Sequence, residues 1–244
     1  MKEPLNPHFM QQFALTAGDS AFAWMQKKTQ PYLKLMSYYK CAIMEIETKF
    51  KVLDEEYAFE LEHNPISSIK TRLKSLASIK DKLLKKQLPL SLESIEKNLN
   101  DVAGIRVICP FPEDVYTLAD ALLKQDDITV IAVKDYIKHP KPNGYRSLHL
   151  IVAIPIFLAH EKKIMKVEIQ LRTIAMDFWA TLEHQLRYKK DAALTEEMAS
   201  ELYDCAQISA ALDLRMEALR KSVFSDKKDG GDNTKTEDTQ ASPF

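Results

Sequence analysis

KVEIQLR, residues 166–172, alternates without a break. Val167, Ile169 and Leu171 fall on one side of an extended chain, and Lys166, Glu168, Gln170 and Arg172 on the other. The first set reads as the core side of a strand. The second has two readings: the solvated outer face of an edge strand, which is the usual meaning of such alternation, or a working face. A carboxylate between an amide and a guanidinium can hold a divalent cation or a hydroxyl while its neighbours hold phosphates.

Outward from this stretch, the spans 105–109, 128–137, 148–156 and 164–172 are short β-rich runs, with a helical pattern over 113–124. Helices flank them. After Pro31 the sequence YLKLMSYYKCAIMEIETKFKVLDEEYAFELE has few breakers and apolar residues three and four apart, which predicts a long helix with proline near its first turn. Ser91 opens a short capped helix, and helices are predicted over 173–189 and 195–223. Helices, then strands with one intervening helix, then helices give an α+β fold whose mixed sheet is flanked by helices. The expected division is an N-terminal helical region over 1–64, a catalytic core over 65–190, a C-terminal helix over 191–224 and a disordered tail over 225–244. In the last helix Met198, Leu202, Cys205, Ser209, Leu212, Met216, Leu219 and Val223 form one stripe, which packs either on its own domain or on another subunit.

At 244 residues with 45% apolar and 28% charged content, the chain reads as one ordinary globular domain with helical additions. A net charge of −1 says nothing about partners. Cys41, Cys109 and Cys205 are odd in number and lack CxxC spacing, so they read as reduced, mostly buried thiols rather than a disulfide framework or zinc site. No apolar run approaches the roughly 20 residues of a membrane span, and no export signal is evident; a cytoplasmic protein without membrane contact is expected.

Local charge is more informative. Residues 65–90 form a strongly basic block in which Arg72, Lys74, Ser78, Lys82 and Lys85 recur along a loop-to-helix segment. Cations converging there could bind a polyphosphate, or the block could be a solvated face. Asp101 stands at the entry to a buried strand, either as a cation ligand or as a cap or turn residue. Asp101 and Arg106 are five apart, so an unbroken strand would send them to opposite faces, and Gly104 is the expected site of a break. The segment KDYIKHPKPNGYRSLH, 134–149, places Lys138, Lys141 and Arg146 near a Pro-Asn-Gly turn, with Tyr145 and His149 behind. Tyrosine can stack on a nucleobase and histidine can donate to a phosphate or ribose, or both can simply pack. A Walker loop is absent, which excludes that route to nucleotide binding.

Taken in order, KTRLKSLASIKDKL, NDVAGIRVIC, YIKHPKPNGYRSLH and VEIQLRTIAMDFWATLEH resemble the synthetase domain of the RelA/SpoT family over residues 65–190, and the chain length resembles its stand-alone small alarmone synthetases. KCAIMEIETKF and AMDFWATLEH lean to the RelP type rather than the RelQ type. The resemblance implies a nucleotidyltransferase-like fold, assembly as a homotetramer, and Mg²⁺-dependent transfer of the β,γ-pyrophosphate of ATP to the 3′-hydroxyl of GDP or GTP. It implies Asp101 and Glu168 as metal ligands, with Glu168 activating the acceptor hydroxyl. Arg72 and Arg106 would sandwich the adenine, with Lys74, Ser78, Lys82 and Lys85 around the ATP phosphates. On the acceptor side it implies Tyr145 stacked on guanine, with Lys134, Lys141, His149 and Gln170 around the nucleotide and Asp177 and Glu183 on the following helix. Asp177 replaces an asparagine of many relatives, and Lys134 stands where some have arginine. None of the six histidines is followed by aspartate, so the hydrolase activity of the family's long members is not expected. The rival reading is an RNA-binding module using the same basic block and Tyr145. Asp101 and Glu168 argue against it as the sole function, since acids in a basic groove hinder RNA but suit Mg²⁺.

Overall fold

Val167, Ile169 and Leu171 have no exposed surface, while Glu168 and Gln170 between them remain partly open. The alternation therefore places one side of the strand in the core and the other against solvent. A computed structural model describes residues 19–60, 63–188 and 195–229, with side chains placed over 29–59, 63–186 and 195–223. In chain order the elements are α1 (Asp19–Glu60), β1 (Ser68–Leu73), α2 (Leu76–Lys85), α3 (Leu92–Asn98), β2 (Ala103–Cys109), α4 (Pro112–Leu123), β3 (Thr129–Asp135), β4 (Leu148–Phe157), β5 (Lys162–Thr173), α5 (Ile174–Tyr188) and α6 (Glu196–Asp229). Among the described residues no helix is long and apolar enough to cross a membrane.

The strands form one sheet in the order β1-β2-β5-β4-β3. β2 and β5 run parallel and the other neighbours antiparallel, so the sheet is mixed, as expected. Its apolar side packs on α1 and α4. From α1 come Leu35, Tyr39, Ala42, Ile46, Phe50 and Leu53, spaced three or four apart on one stripe, and from α4 come Val115, Leu118 and Leu122. These meet Ile105, Val107, Leu150, Val152 and Ile169 from the three central strands.

Three expectations need correction. Residues 68–73 form a strand, not a loop leading to a helix. Lys70, Arg72 and Lys74 alternate with Ile69, Thr71 and Leu73 in a strand's period of two. The density of charge hides it, and because β1 is a sheet edge, pairing with β2 rather than burial holds it. The first helix is 42 residues long and begins at Asp19, so Pro31 lies inside it rather than in its first turn. Proline there removes a backbone donor at a cost of about 3 kcal/mol, which the buried stripe following it offsets. Cys205 is exposed, although Cys109 is buried and Cys41 half-buried.

α6 turns a different face to the domain from the stripe the sequence suggests. Trp179 Nε1 donates to the Leu202 carbonyl (2.8 Å), Ser209 Oγ to the Ala175 carbonyl (3.0 Å) and Thr173 Oγ1 to Asp213 (2.5 Å). Arg220 donates to Glu113 (2.6 Å) and Asp114 (3.3 Å), with its guanidinium over the Phe111 ring. Ala206 and Asp213 are buried on this inner face. Met198, Cys205, Leu212, Met216, Leu219 and Val223 point outward, and only Leu202 and Ser209 of the stripe are half-buried. Residues 230–244 of the expected disordered tail lie outside the described residues, and 225–229 continue α6.

Candidate active site

The strand registers align the polar residues in two rows across the open side of the sheet. Lys70 of β1 lies opposite Arg106 of β2, Arg106 beside Gln170 of β5, Gln170 opposite His149 of β4, and His149 opposite Lys134 of β3. In the next row Arg72, Gly104 and Glu168 are neighbours. Cross-strand partners share a face, so sites 100 residues apart in sequence converge. A cleft of about 190 Å³ opens over β1, β2 and β5, lined by Lys70, Arg72, Lys74, Asp101, Arg106 and Glu168 among others.

Asp101 reaches this cleft, but not by a break at Gly104. β2 runs regularly from Ala103 through Gly104, paired on both sides. The chain bends one residue before the strand, at Val102, whose carbonyl accepts from Lys74 N (2.8 Å). The bend puts Asp101 on the open side with Arg106. A Cβ at Gly104 would lie 3.6 Å from the Arg72 carbonyl oxygen, an ordinary contact. The glycine is not forced by packing; it leaves the floor between Arg72 and Glu168 clear.

Lys74 and Lys82 both donate to Asp101 Oδ2, at 2.8 and 2.6 Å. Burial pushes the Asp101 carboxyl up, but the two ammonium groups outweigh it and hold it below the usual carboxylate range. Its other oxygen, Oδ1, is buried and has no hydrogen-bond partner. A buried, ionised and unpaired oxygen is costly unless a cation or donor completes it. Ser78, Lys82 and Lys85 share one face of α2, whose N-cap Ser75 accepts from Ser78 N and donates to Ser78 Oγ. Lys82 reaches the acid, whereas Lys85 lies exposed in the last turn and outside the cleft lining.

Beyond Glu168 the loop 136–147 supplies a second cluster. Gly144 has φ +86°, and its N–H donates to the Lys141 carbonyl (2.8 Å), which folds the Pro-Asn-Gly turn tightly. Tyr145 emerges from that turn between Trp179, Ala206 and His149, with the Lys141 ammonium 4.8 Å from its ring centre. Glu183 on α5 accepts from Asn143 in the same turn (3.1 Å). Asp177, in the first turn of α5, is buried and accepts from Lys70 (2.9 Å), Arg106 (3.0 Å) and Arg172 (3.1 Å). Burial raises its pKa, yet these three cations hold it below its ordinary value.

Of the residues singled out in sequence, Arg72, Lys74, Asp101, Arg106, Glu168 and Gln170 line one cleft, with Lys82 bonded to Asp101, while Lys134, Lys141, Tyr145, His149, Asp177 and Glu183 lie beside it. Lys85 is at the margin, and Lys138 and Arg146 turn instead to Asp135 and the Ile137 carbonyl. The structure adds Lys70, Arg172 and Tyr136. Arg172 was readable from the alternation of 166–172, and Lys70 would have been readable had β1 been recognised. Tyr136, edge-on to Tyr145 and His149, carries no local signal. Among the described residues no group of three or more His, Cys, Asp or Glu side chains is placed to hold a metal. Any ion here would rest on Asp101 and Glu168 alone.

Residues 71–193 match the sequence pattern described as the region found in RelA/SpoT proteins. The chain is 42% identical to the GTP pyrophosphokinase YwaC of Bacillus subtilis (strain 168) over 185 residues, 76% of this chain and 88% of that protein. Two solved structures from Bacillus subtilis share its fold. Small alarmone synthetase 2 matches with TM-score 0.72 and 40% identity over 78% of this chain and 98% of that one. Small alarmone synthetase 1 bound to its product pppGpp matches with TM-score 0.73 and 36% identity over 80% and 98%. With its mixed five-stranded sheet, its two-row polar face and this matched region, the chain belongs to the RelA/SpoT family.

Proposed function

We propose that the protein transfers the β,γ-pyrophosphate of ATP to the 3′-hydroxyl of GTP or GDP, releasing AMP and forming pppGpp or ppGpp. The observation that carries this reading is the pairing of Asp101, with its unpartnered Oδ1, and Glu168 in one cleft walled by cations. Pyrophosphoryl transfer needs little covalent help; it needs the attacking oxygen, the phosphorus and the leaving group in line, with the spreading negative charge neutralised.

Roles follow the rows. Arg72 and Arg106 flank the open floor at Gly104 and would hold the adenine between them. Lys74 before α2, and Ser78 and Lys82 along it, with Lys85 further out, would face the ATP phosphates. Tyr145 would stack the guanine, exchanging the Lys141 ammonium for the base. Lys134, Lys141, His149 and Gln170 line the acceptor side of the sheet. Asp177 and Glu183 support that side from α5, and Asp177 Oδ2, which among the described residues accepts only from Lys70, keeps acceptor capacity for a guanine edge. Glu168 accepts the proton of the 3′-hydroxyl as that oxygen attacks.

Two carboxylates fit Mg²⁺, which usually keeps much of its shell as water and substrate phosphate. Bound by Asp101 and Glu168, it would neutralise phosphate charge in the transition state. Lys74 and Lys82 meanwhile keep Asp101 ionised and ready for it. The outward stripe of α6, with Leu212, Leu219 and Val223 each more than half exposed, supports assembly as a homotetramer. Substrates of this kind place the protein in the cytoplasm. The RelP-type assignment rests on KCAIMEIETKF and AMDFWATLEH.

Glu168→Gln tests the reading. It keeps the shape and the hydrogen bond with Gln170 but removes the base and the charge. Turnover should fall by about 10²–10⁴-fold with the melting temperature little changed; near-normal turnover would remove Glu168 from the chemistry.

A further inference from the structure

Stacking on a base uses the Tyr145 ring and leaves its hydroxyl without a task, yet that hydroxyl is held between Arg172 and His149. Arg172, 4% exposed, donates from one nitrogen to the Tyr145 hydroxyl (2.6 Å) and to Gln170 Oε1 (3.0 Å). The Tyr145 hydroxyl lies 2.8 Å from His149 Nε2. His149 Nδ1 is 3.8 Å from Glu168 Oε1, and Gln170 Nε2 donates to Glu168 Oε2 (3.1 Å). Two branches therefore leave one guanidinium: one runs through Gln170 to Glu168, and the other ends at the Tyr145 hydroxyl and His149, whose Nδ1 lies beyond hydrogen-bond distance of the carboxylate.

Donor and acceptor capacities set the direction of each step. A guanidinium only donates, so the tyrosine oxygen accepts from Arg172. Its single hydrogen then serves the ring nitrogen 2.8 Å away, which makes Nε2 the acceptor and leaves the imidazole proton on Nδ1, facing Glu168. Burial and the neighbouring cations Arg172, Lys141, Lys134 and Arg106 disfavour a second proton on that ring. On the other branch Arg172 fixes the amide of Gln170 with its oxygen inward, so the NH₂ must face Glu168.

We infer that the Tyr145 hydroxyl is a positioning group for the reaction. By accepting from Arg172 it holds the guanidinium that fixes the Gln170 amide, and Gln170 in turn orients Glu168 through Oε2. The residue that stacks the acceptor thus also helps to aim the base. This rests on the proposed transfer reaction and on Glu168 as its base.

Tyr145→Phe separates the ring from the hydroxyl. With ATP saturating and GTP or GDP varied, kcat should fall about three- to thirtyfold, the worth of one hydrogen bond in an oriented site. The acceptor KM should stay within about twofold, because the stacking ring remains. In a Gln170→Leu background, where the path to Glu168 is already cut, adding Tyr145→Phe should lower kcat no further. Unchanged kcat in the single variant, a raised acceptor KM with unchanged kcat, or additive losses in the double variant would each overturn the relay. Thermal melting of each variant checks that it folds, and if Gln170→Leu does not, the kcat and KM split of Tyr145→Phe decides alone. Failure of the underlying reading looks different: the parent enzyme itself forms no alarmone, or Glu168→Gln turns over normally, and the relay falls with it.

Discussion

Gly144→Ala probes the contact by which α6 shapes the acceptor turn. Two penalties add at this position. An alanine at φ +86° carries about 1–2 kcal/mol of backbone strain. Its Cβ would also lie 2.5 Å from the Ala206 Cβ, so α6 or the turn must yield by more than an ångström. Overpacking of this kind costs about 1–3 kcal/mol. The lower entropy of alanine in the unfolded chain returns about 0.4–1 kcal/mol, leaving a net loss of about 1–5 kcal/mol. For a chain of this size that lowers the melting temperature by roughly 2–20 °C. Removing the opposing methyl tests the origin of the loss. Ala206→Gly alone costs about 1 kcal/mol as a helix-interior glycine, but combined with Gly144→Ala it should recover the steric part, a favourable coupling of about 1–3 kcal/mol. The backbone part should persist, and with it a raised acceptor KM, since Tyr145 follows the turn directly. Calorimetry on the parent, the two single variants and the double variant gives the cycle. A Gly144→Ala protein melting within about 1 °C of the parent, or a cycle without coupling, would refute the packing of Gly144 against α6.

Two further outcomes follow from the same geometry. Asp177→Asn leaves Lys70, Arg106 and Arg172 without their shared anion and should cost about 2–4 kcal/mol at neutral pH. Because the Asp177 pKa is lowered in the fold, its contribution is present above the unfolded value of 3.8 and disappears as pH falls through the folded value below it. The gap between parent and variant in denaturant unfolding should therefore close under acid; a gap constant from pH 7 down to acid unfolding contradicts this role. If the proposed homotetramer of 28.0 kDa chains forms through the outward stripe of α6, Leu219→Glu should shift it to smaller species in light scattering without lowering helix content; a parent of one-chain mass, or an unchanged mass in the variant, would contradict that interface.

Where burial and period agree, the sequence was legible. The span around Ile169 alternates because one side is core, those around Ile105 and Leu150 are largely apolar runs rich in β-branched residues, and the structure returns all three as strands within a few residues. β1 was not legible because its strand character is in its pairing: Lys70 and Arg72 are open to solvent, and what fixes them is the ladder to Arg106 and Gly104 in β2. The same blind spot hid how Asp101 joins Arg106. A bend at Val102 leaves no compositional mark, whereas Gly104, which looks like a break, sits in regular strand. Glu168, Gln170 and Arg172 were readable as one face, but the contacts of Arg172 with Tyr145 and of Tyr145 with His149 need two strands and a turn to be in place. In α6 the apolar stripe was read correctly as a stripe. Its inner counterpart was missed because α6 is held inward largely by polar groups, Asp213, Ser209 and Arg220, with Ala206 as its small buried apolar contact.

The most direct test of the central claim is to incubate the protein with Mg²⁺ and ATP labelled in its β- or γ-phosphate, with GTP or GDP as acceptor, and to resolve the products. Equal amounts of AMP and pppGpp or ppGpp, carrying the label on the 3′-oxygen of the guanosine and lost with Glu168→Gln, are the expected result. A folded protein that forms neither AMP nor a 3′-pyrophosphorylated guanosine nucleotide would contradict it.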